Sequence, residues 1–139
     1  WMIHCRAPLP YTLKVTLLIE MRLRDGCPMC RLNMRSNNRF QPTVSPAVID
    51  DLFAELHQIE GKVPGLLSIT SGRSESPERI ERGYLHGFTI DFDNWAALAA
   101  YQAHPDHRAL GARLVAAANG GRDGILVFDL ATDGRPFIT

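Results

Sequence analysis

The sequence predicts an α+β domain of the ferredoxin-like kind: a four-stranded antiparallel sheet carrying helices on one face only. Two observations predict it. Segments with a period of two and segments with a helical period follow one another as strand, helix, strand, strand, helix, strand. The chain is 139 residues long, which suits one domain with a single core. Helices on one side leave the other sheet face bare, and a second copy of the same chain is the economical cover. A homodimer is therefore expected.

Residues 1–12 hold two prolines and no period, and read as a loose arm. Their apolar content is broken by Pro8 before any long run, so they do not read as a secretion signal. The first residue is Trp1, which reads as a fragment or as translation from upstream of the natural start. Residues 14–24 alternate well: Val15, Leu17, Ile19, Met21 and Leu23 share one face, and Lys14, Thr16, Glu20, Arg22 and Arg24 the other, with Leu18 the exception. Asp25-Gly26 ends that segment, and residues 31–39 are polar and turn-prone. Two alternatives follow. Either 14–24 is the first strand with a loop of roughly 20 residues behind it, longer than loops usually run, or the first 38 residues lie outside the domain proper. The domain is expected over 39–130, followed by a tail over 131–139.

From Ser45 the pattern steadies. Ser45 is a good N-cap with Pro46 at the first helical position, and Ile49, Leu52, Phe53, Leu56 and Ile59 recur at helical spacing up to Gly61. A helix is predicted over 46–60. Val63-Pro64-Gly65 turns the chain into a short strand over 66–70, and the polar residues 71–82, with Gly72 and Pro77, form a connection. Residues 105–118 give a second helical stretch, residues 119–124 a glycine-rich turn, and 125–130 the last strand.

The chain is organised around residues 83–107, where three of the five histidines lie. Tyr84, His86, Phe88, Ile90 and Phe92 fall on one face of a strand, and Leu85, Gly87, Thr89 and Asp91 on the other. Asp93 or Asn94 can cap the helix over 95–103, and Pro105 ends it. The helix closes on Tyr101, His104 and His107.

Composition excludes several classes. Lys+Arg and Asp+Glu both total 15, so no broad basic field for a nucleic-acid backbone is expected. No apolar run approaches the roughly 20 residues of a membrane-spanning helix. Cys5, Cys27 and Cys30 are an odd set without a disulfide framework, which points to a reducing compartment, the cytoplasm by default. Cys27-Pro28-Met29-Cys30 has redox or zinc half-site spacing but lacks a second pair, so neither a metal nor a cofactor is expected. The glycine-rich turn leads into a strand and so lacks the helix N-terminus that holds a phosphate.

Gly-Tyr-x-His at 83–86, Tyr-x-x-His-Pro-x-His at 101–107 and Leu126-Val127-Phe128-Asp129 together resemble the stress-responsive dimeric α/β-barrel (Dabb) family, over 39–130. The resemblance implies two sheets meeting as a barrel in a two-fold dimer. It also implies a pocket between helices and sheet, in which His86 matches a strand histidine; the pocket is expected to be lined by His86, Tyr101 and His107, with Phe88, Tyr84 and His104 as further ligand-binding residues. One branch, resembling olivetolic acid cyclase, closes a polyketide ring with a tyrosine and a histidine of this motif; carried over, these are Tyr101 and His107. A further pocket histidine of that branch sits on the first strand, where this chain places Leu17 or Met34.

Three functions are expected from this reading. The first is a stress-associated protein that binds a small apolar, phenolic or carbonyl ligand. The second is a cofactor-independent cyclase or lyase using the Tyr101 and His107 pair, since a neutral imidazole beside a phenol is a workable acid/base couple. The third is a cofactor-free oxygenase, related at the level of fold. A structural reading stands beside them, with His104 capping its helix and His86 a satisfied core histidine.

Overall fold

The computed structural model describes residues 31–132. Four strands, β1 (Arg31–Asn38), β2 (Leu66–Arg73), β3 (His86–Phe92) and β4 (Ile125–Thr132), form one antiparallel sheet in the order β2-β3-β1-β4. Three helices cover one face: α1 (Pro46–His57), α2 (Trp95–Ala103) and α3 (Pro105–Ala117). A 3-10 turn over Gly121–Gly124 precedes β4. This is the ferredoxin-like arrangement.

The first strand corrects the sequence reading. Residues 31–39, which read as a polar turn-prone loop, supply the strand between β3 and β4. The strand expected over 14–24 and the pair Cys27 and Cys30 lie outside the described residues. Along β1 the side chains alternate in burial, with Leu32, Met34, Ser36 and Asn38 all under the helices. The polar second half is tolerated because the strand has a neighbour on each side, so its backbone groups enter two ladders.

Strand register assigns the rest of the sheet. Under the helices run the rows Leu66, Phe92, Leu32; Ile69, Ile90, Met34; Ser71, Phe88, Ser36; and Arg73, His86, Asn38. The opposite face carries Ser68, Asp91, Asn33, Leu130; then Thr70, Thr89, Arg35, Phe128; then Gly72, Gly87, Asn37, Leu126. Leu67 sits at a bulge that restores register after Leu66.

Local chemistry fixes the helices. The Ser45 hydroxyl accepts from Val48 N (3.3 Å) with Pro46 behind it, and the Asn94 side chain accepts from Ala97 N at 2.9 Å. Each cap is worth about 1 kcal/mol. Helix α1 buries Ile49, Leu52, Phe53 and Leu56, α2 buries Ala97, Leu98 and Tyr101, and α3 buries Leu110 and Leu114. Full burial of each large side chain contributes about 2 kcal/mol. The helix expected to reach residue 60 stops at His57, whose ring shares a 2.8 Å hydrogen bond with the Ser71 hydroxyl.

Candidate functional site

The histidine motif is split between the two ends of β3. His86 and Phe92 are six residues apart on one strand, about 20 Å at ~3.3 Å per residue. Tyr101 packs on Phe92, with ring centroids 5.5 Å apart, whereas His86 packs on Phe40 (5.5 Å) and Phe53 (6.4 Å). The sequence expectation of one pocket lined by His86, Tyr101 and His107 is therefore replaced by two separate clusters under the helices.

At the Phe92 end, Tyr101 is sealed, 1% exposed, and its ring lies 4.4 Å from that of half-buried His107. Burial pushes the Tyr101 hydroxyl well above the ordinary tyrosine range. Burial also lowers the His107 pKa, against the backbone hydrogen bond to Gln102 and with help from Arg108 and His104. His107 Nδ1 lies 3.2 Å from the Gln102 carbonyl oxygen. A carbonyl only accepts, so Nδ1 carries the proton and Nε2 holds the basic lone pair. The pair is thus a protonated phenol beside a neutral imidazole.

Two other members of the predicted set have structural partners. His104 ends α2 and caps α3, its Nδ1 accepting from Asp106 N at 3.2 Å. Tyr84 precedes β3, donates its hydroxyl to the Asp123 carbonyl (2.9 Å) and lies under the Arg39 guanidinium, 5.3 Å from the ring centroid. Phe88 is buried against Phe53 with centroids 6.1 Å apart.

At the His86 end, the aromatic cluster has beside it, across the strand pair, a polar group that sequence reasoning missed. Asn38, cross-strand partner of His86, is 0% exposed, and among the described residues neither its side-chain nitrogen nor its side-chain oxygen has a hydrogen-bond partner. Ser36, also buried, lies two residues back on the same face. The His86 pKa is lowered by burial first and by Arg73 second, with Asp50 opposing. Phe40 and His86 are both half-buried, so this cluster reaches the surface. The signal in the sequence was the alternation over 31–38, hidden because its buried half ends in serine and asparagine.

On the open sheet face there is a recess of about 380 Å³, lined by residues that include Arg35, Asn37, Thr70, Gly72 and Phe128. Tyr84, His86 and Phe88 border it too, whereas Tyr101, His104 and His107 do not.

A family model described as the stress responsive A/B barrel domain, Dabb, matches residues 38–131. The chain belongs to the Dabb family. All of β1 except Asn38 precedes the matched stretch. Over 90 residues this Dabb chain is 29% identical to a stress-response A/B barrel domain-containing protein of Arabidopsis thaliana, covering 65% of this chain and 79% of that protein. A dimeric ferredoxin-like protein of unknown function from Jannaschia is 33% identical, with a TM-score of 0.68, covering 72% of this chain and 97% of that one. A hydroxynitrile lyase from Passiflora edulis also reaches a TM-score of 0.68, at 17% identity, covering 78% of this chain and 98% of the lyase; that likeness is one of fold. No helix among the described residues is long and apolar enough to cross a membrane.

Proposed function

We propose that this Dabb protein is a homodimer that takes up a small apolar ligand bearing a phenol or carbonyl oxygen, between helices and sheet at the His86 end. The observation that carries the reading is the Asn38 carboxamide. A buried polar group without a partner costs about 1–3 kcal/mol, so an amide unpartnered among the described residues, across the strand pair from the His86 aromatic cluster, calls for an occupant. A phenol can donate to Oδ1, and a ketone can accept from Nδ2, while Phe40, Phe53 and His86 enclose the apolar body. The dimer is supported by the bare sheet face and by solved relatives described as dimeric.

Calorimetric titration with alkylphenols and cyclic ketones tests the ligand. Asn38→Leu, which removes the buried polar group at similar volume, is expected to weaken binding at least tenfold while leaving the fold as stable or more so. His107→Ala is expected to bind normally. Undiminished binding by Asn38→Leu would mean that the amide is served by a water, and the ligand reading would fall.

The His107 tautomer favours a second reading, a cofactor-independent cyclase or lyase. In it the His107 Nε2 takes the proton and the Tyr101 hydroxyl polarises the carbonyl, because burial keeps that phenol protonated. Tyr101→Phe and His107→Ala would then abolish turnover of a polyketide-like or cyanohydrin substrate and spare dimer mass. Loss of stability with no rate to lose would leave the pair structural.

A further inference from the structure

On the open face, the row Gly72, Gly87, Asn37 adjoins the row Thr70, Thr89, Arg35, Phe128. Gly72 and Gly87 are cross-strand partners, and neither has the positive φ that would demand glycine. Only Gly87 is held small by its neighbours. A Cβ on Gly87 would stand 2.7 Å from Asn37 Oδ1, so the Asn37 amide lies over that glycine, while a Cβ on Gly72 would meet nothing within 4 Å. The result is a floor bare of side chains, walled by threonine and serine hydroxyls, an amide, Phe88 and Phe128, His86, and the two guanidiniums of Arg35 and Arg73.

Arg35 is the charge that needs explaining. Its Nε donates to Asn33 Oδ1 at 3.0 Å, and among the described residues it pairs with no carboxylate. The acid in the next row, Asp91, already accepts from Asn33 Nδ2 (2.8 Å) and from the Ser68 hydroxyl (3.1 Å). The planar fork of Arg35 is thereby left to match a carboxylate from outside. Its direct cross-strand partner Phe128 is partly exposed and offers an apolar surface beside that fork.

We infer that this recess is a binding site for a small monocarboxylate with an aromatic or apolar body. The carboxylate pairs with Arg35 and reaches the Thr70 and Thr89 hydroxyls, and the body lies over the glycine floor against Phe128. The site opens on the sheet face opposite Asn38, although His86 borders both, and it does not need the homodimer to exist. Where a second copy covers the face, as in the reading above, the ligand also neutralises a guanidinium removed from water.

Benzoate and its uncharged counterpart benzyl alcohol, titrated into the full chain by calorimetry, test this. Benzoate is expected to bind at least tenfold more tightly than benzyl alcohol. Arg35→Gln should weaken benzoate at least tenfold, and Gly72→Val, which fills open space without a clash, should abolish it. Both variants should keep the phenol binding of the Asn38 cluster. Benzoate binding by a protein of monomer mass would remove the dimer and keep the site. No benzoate binding, or binding undiminished in both variants, overturns the inference.

Discussion

His86 and His107 sit at opposite ends of β3, yet burial lowers the pKa of both. Each imidazole is held neutral in the fold, whereas in the unfolded chain it titrates near the ordinary value of about 6.5. Below that pH the unfolded state binds the additional protons, so stability is complete above about 6.5 and declines as pH falls through the lowered folded values. The melting temperature is expected to hold level between about pH 7 and 9 and to fall below about 6.5. A His86→Phe, His107→Phe double variant should flatten that fall, and an unchanged slope would assign the acid sensitivity to other groups. NMR titration should place both apparent values under 6.5. The roles of these histidines were only half legible in sequence. Strand parity placed His86 under the helices, but the turn and helix between it and Tyr101 concealed that the two residues end up at opposite ends of the sheet.

Among the elements, the helices were legible because their punctuation is chemical: Ser45 with Pro46, Asn94, and His104 with Pro105 each mark an end that the hydrogen bonds then use. Strand β1 was not legible. Hydropathy sees only Leu32 and Met34 as apolar in it, and the ladders on both sides that hold the polar half in place are contacts distant in sequence. The more regular alternation over 14–24 drew the strand prediction away from it. The turn into β2 offers a sharp test. Gly65 has φ +83°, and a Cβ there would lie 2.7 Å from Ala97 Cβ, so it needs glycine both for its backbone and for the close approach of α2. At Gly61, with φ +80°, a Cβ would meet no atom of the described residues within 4 Å. Gly65→Ala should cost about 2 kcal/mol or more and Gly61→Ala about 1 kcal/mol. Thermal melts that rank the two equally would show that packing on Ala97 contributes nothing.

For the whole molecule, the order of elements in the sequence implied a sheet with one bare face, and among the described residues no helix covers that face. Leu126, Phe128 and Leu130 line its β4 side, each between about 39 and 49% exposed, beside the polar Asn33, Arg35 and Asn37. A contiguous apolar strip of this kind is the mark of an interface. Light scattering at micromolar concentration is expected to give twice the chain mass, and Phe128→Lys, which places a charge in the strip, to give a monomer. A wild-type monomer would contradict the dimer. The face alone does not encode a ligand, which is why the glycine floor and Arg35 escaped a reading based on apolar pattern.

The proposed ligand site is tested most directly by the side-chain amide signals of Asn38, followed by NMR as an alkylphenol is added to the labelled protein. The expected result is a saturable shift of that amide pair together with the His86 ring, while His107 and Tyr101 stay still. If the Asn38 signals do not move, or if His107 moves in their place, the ligand does not occupy the His86 end.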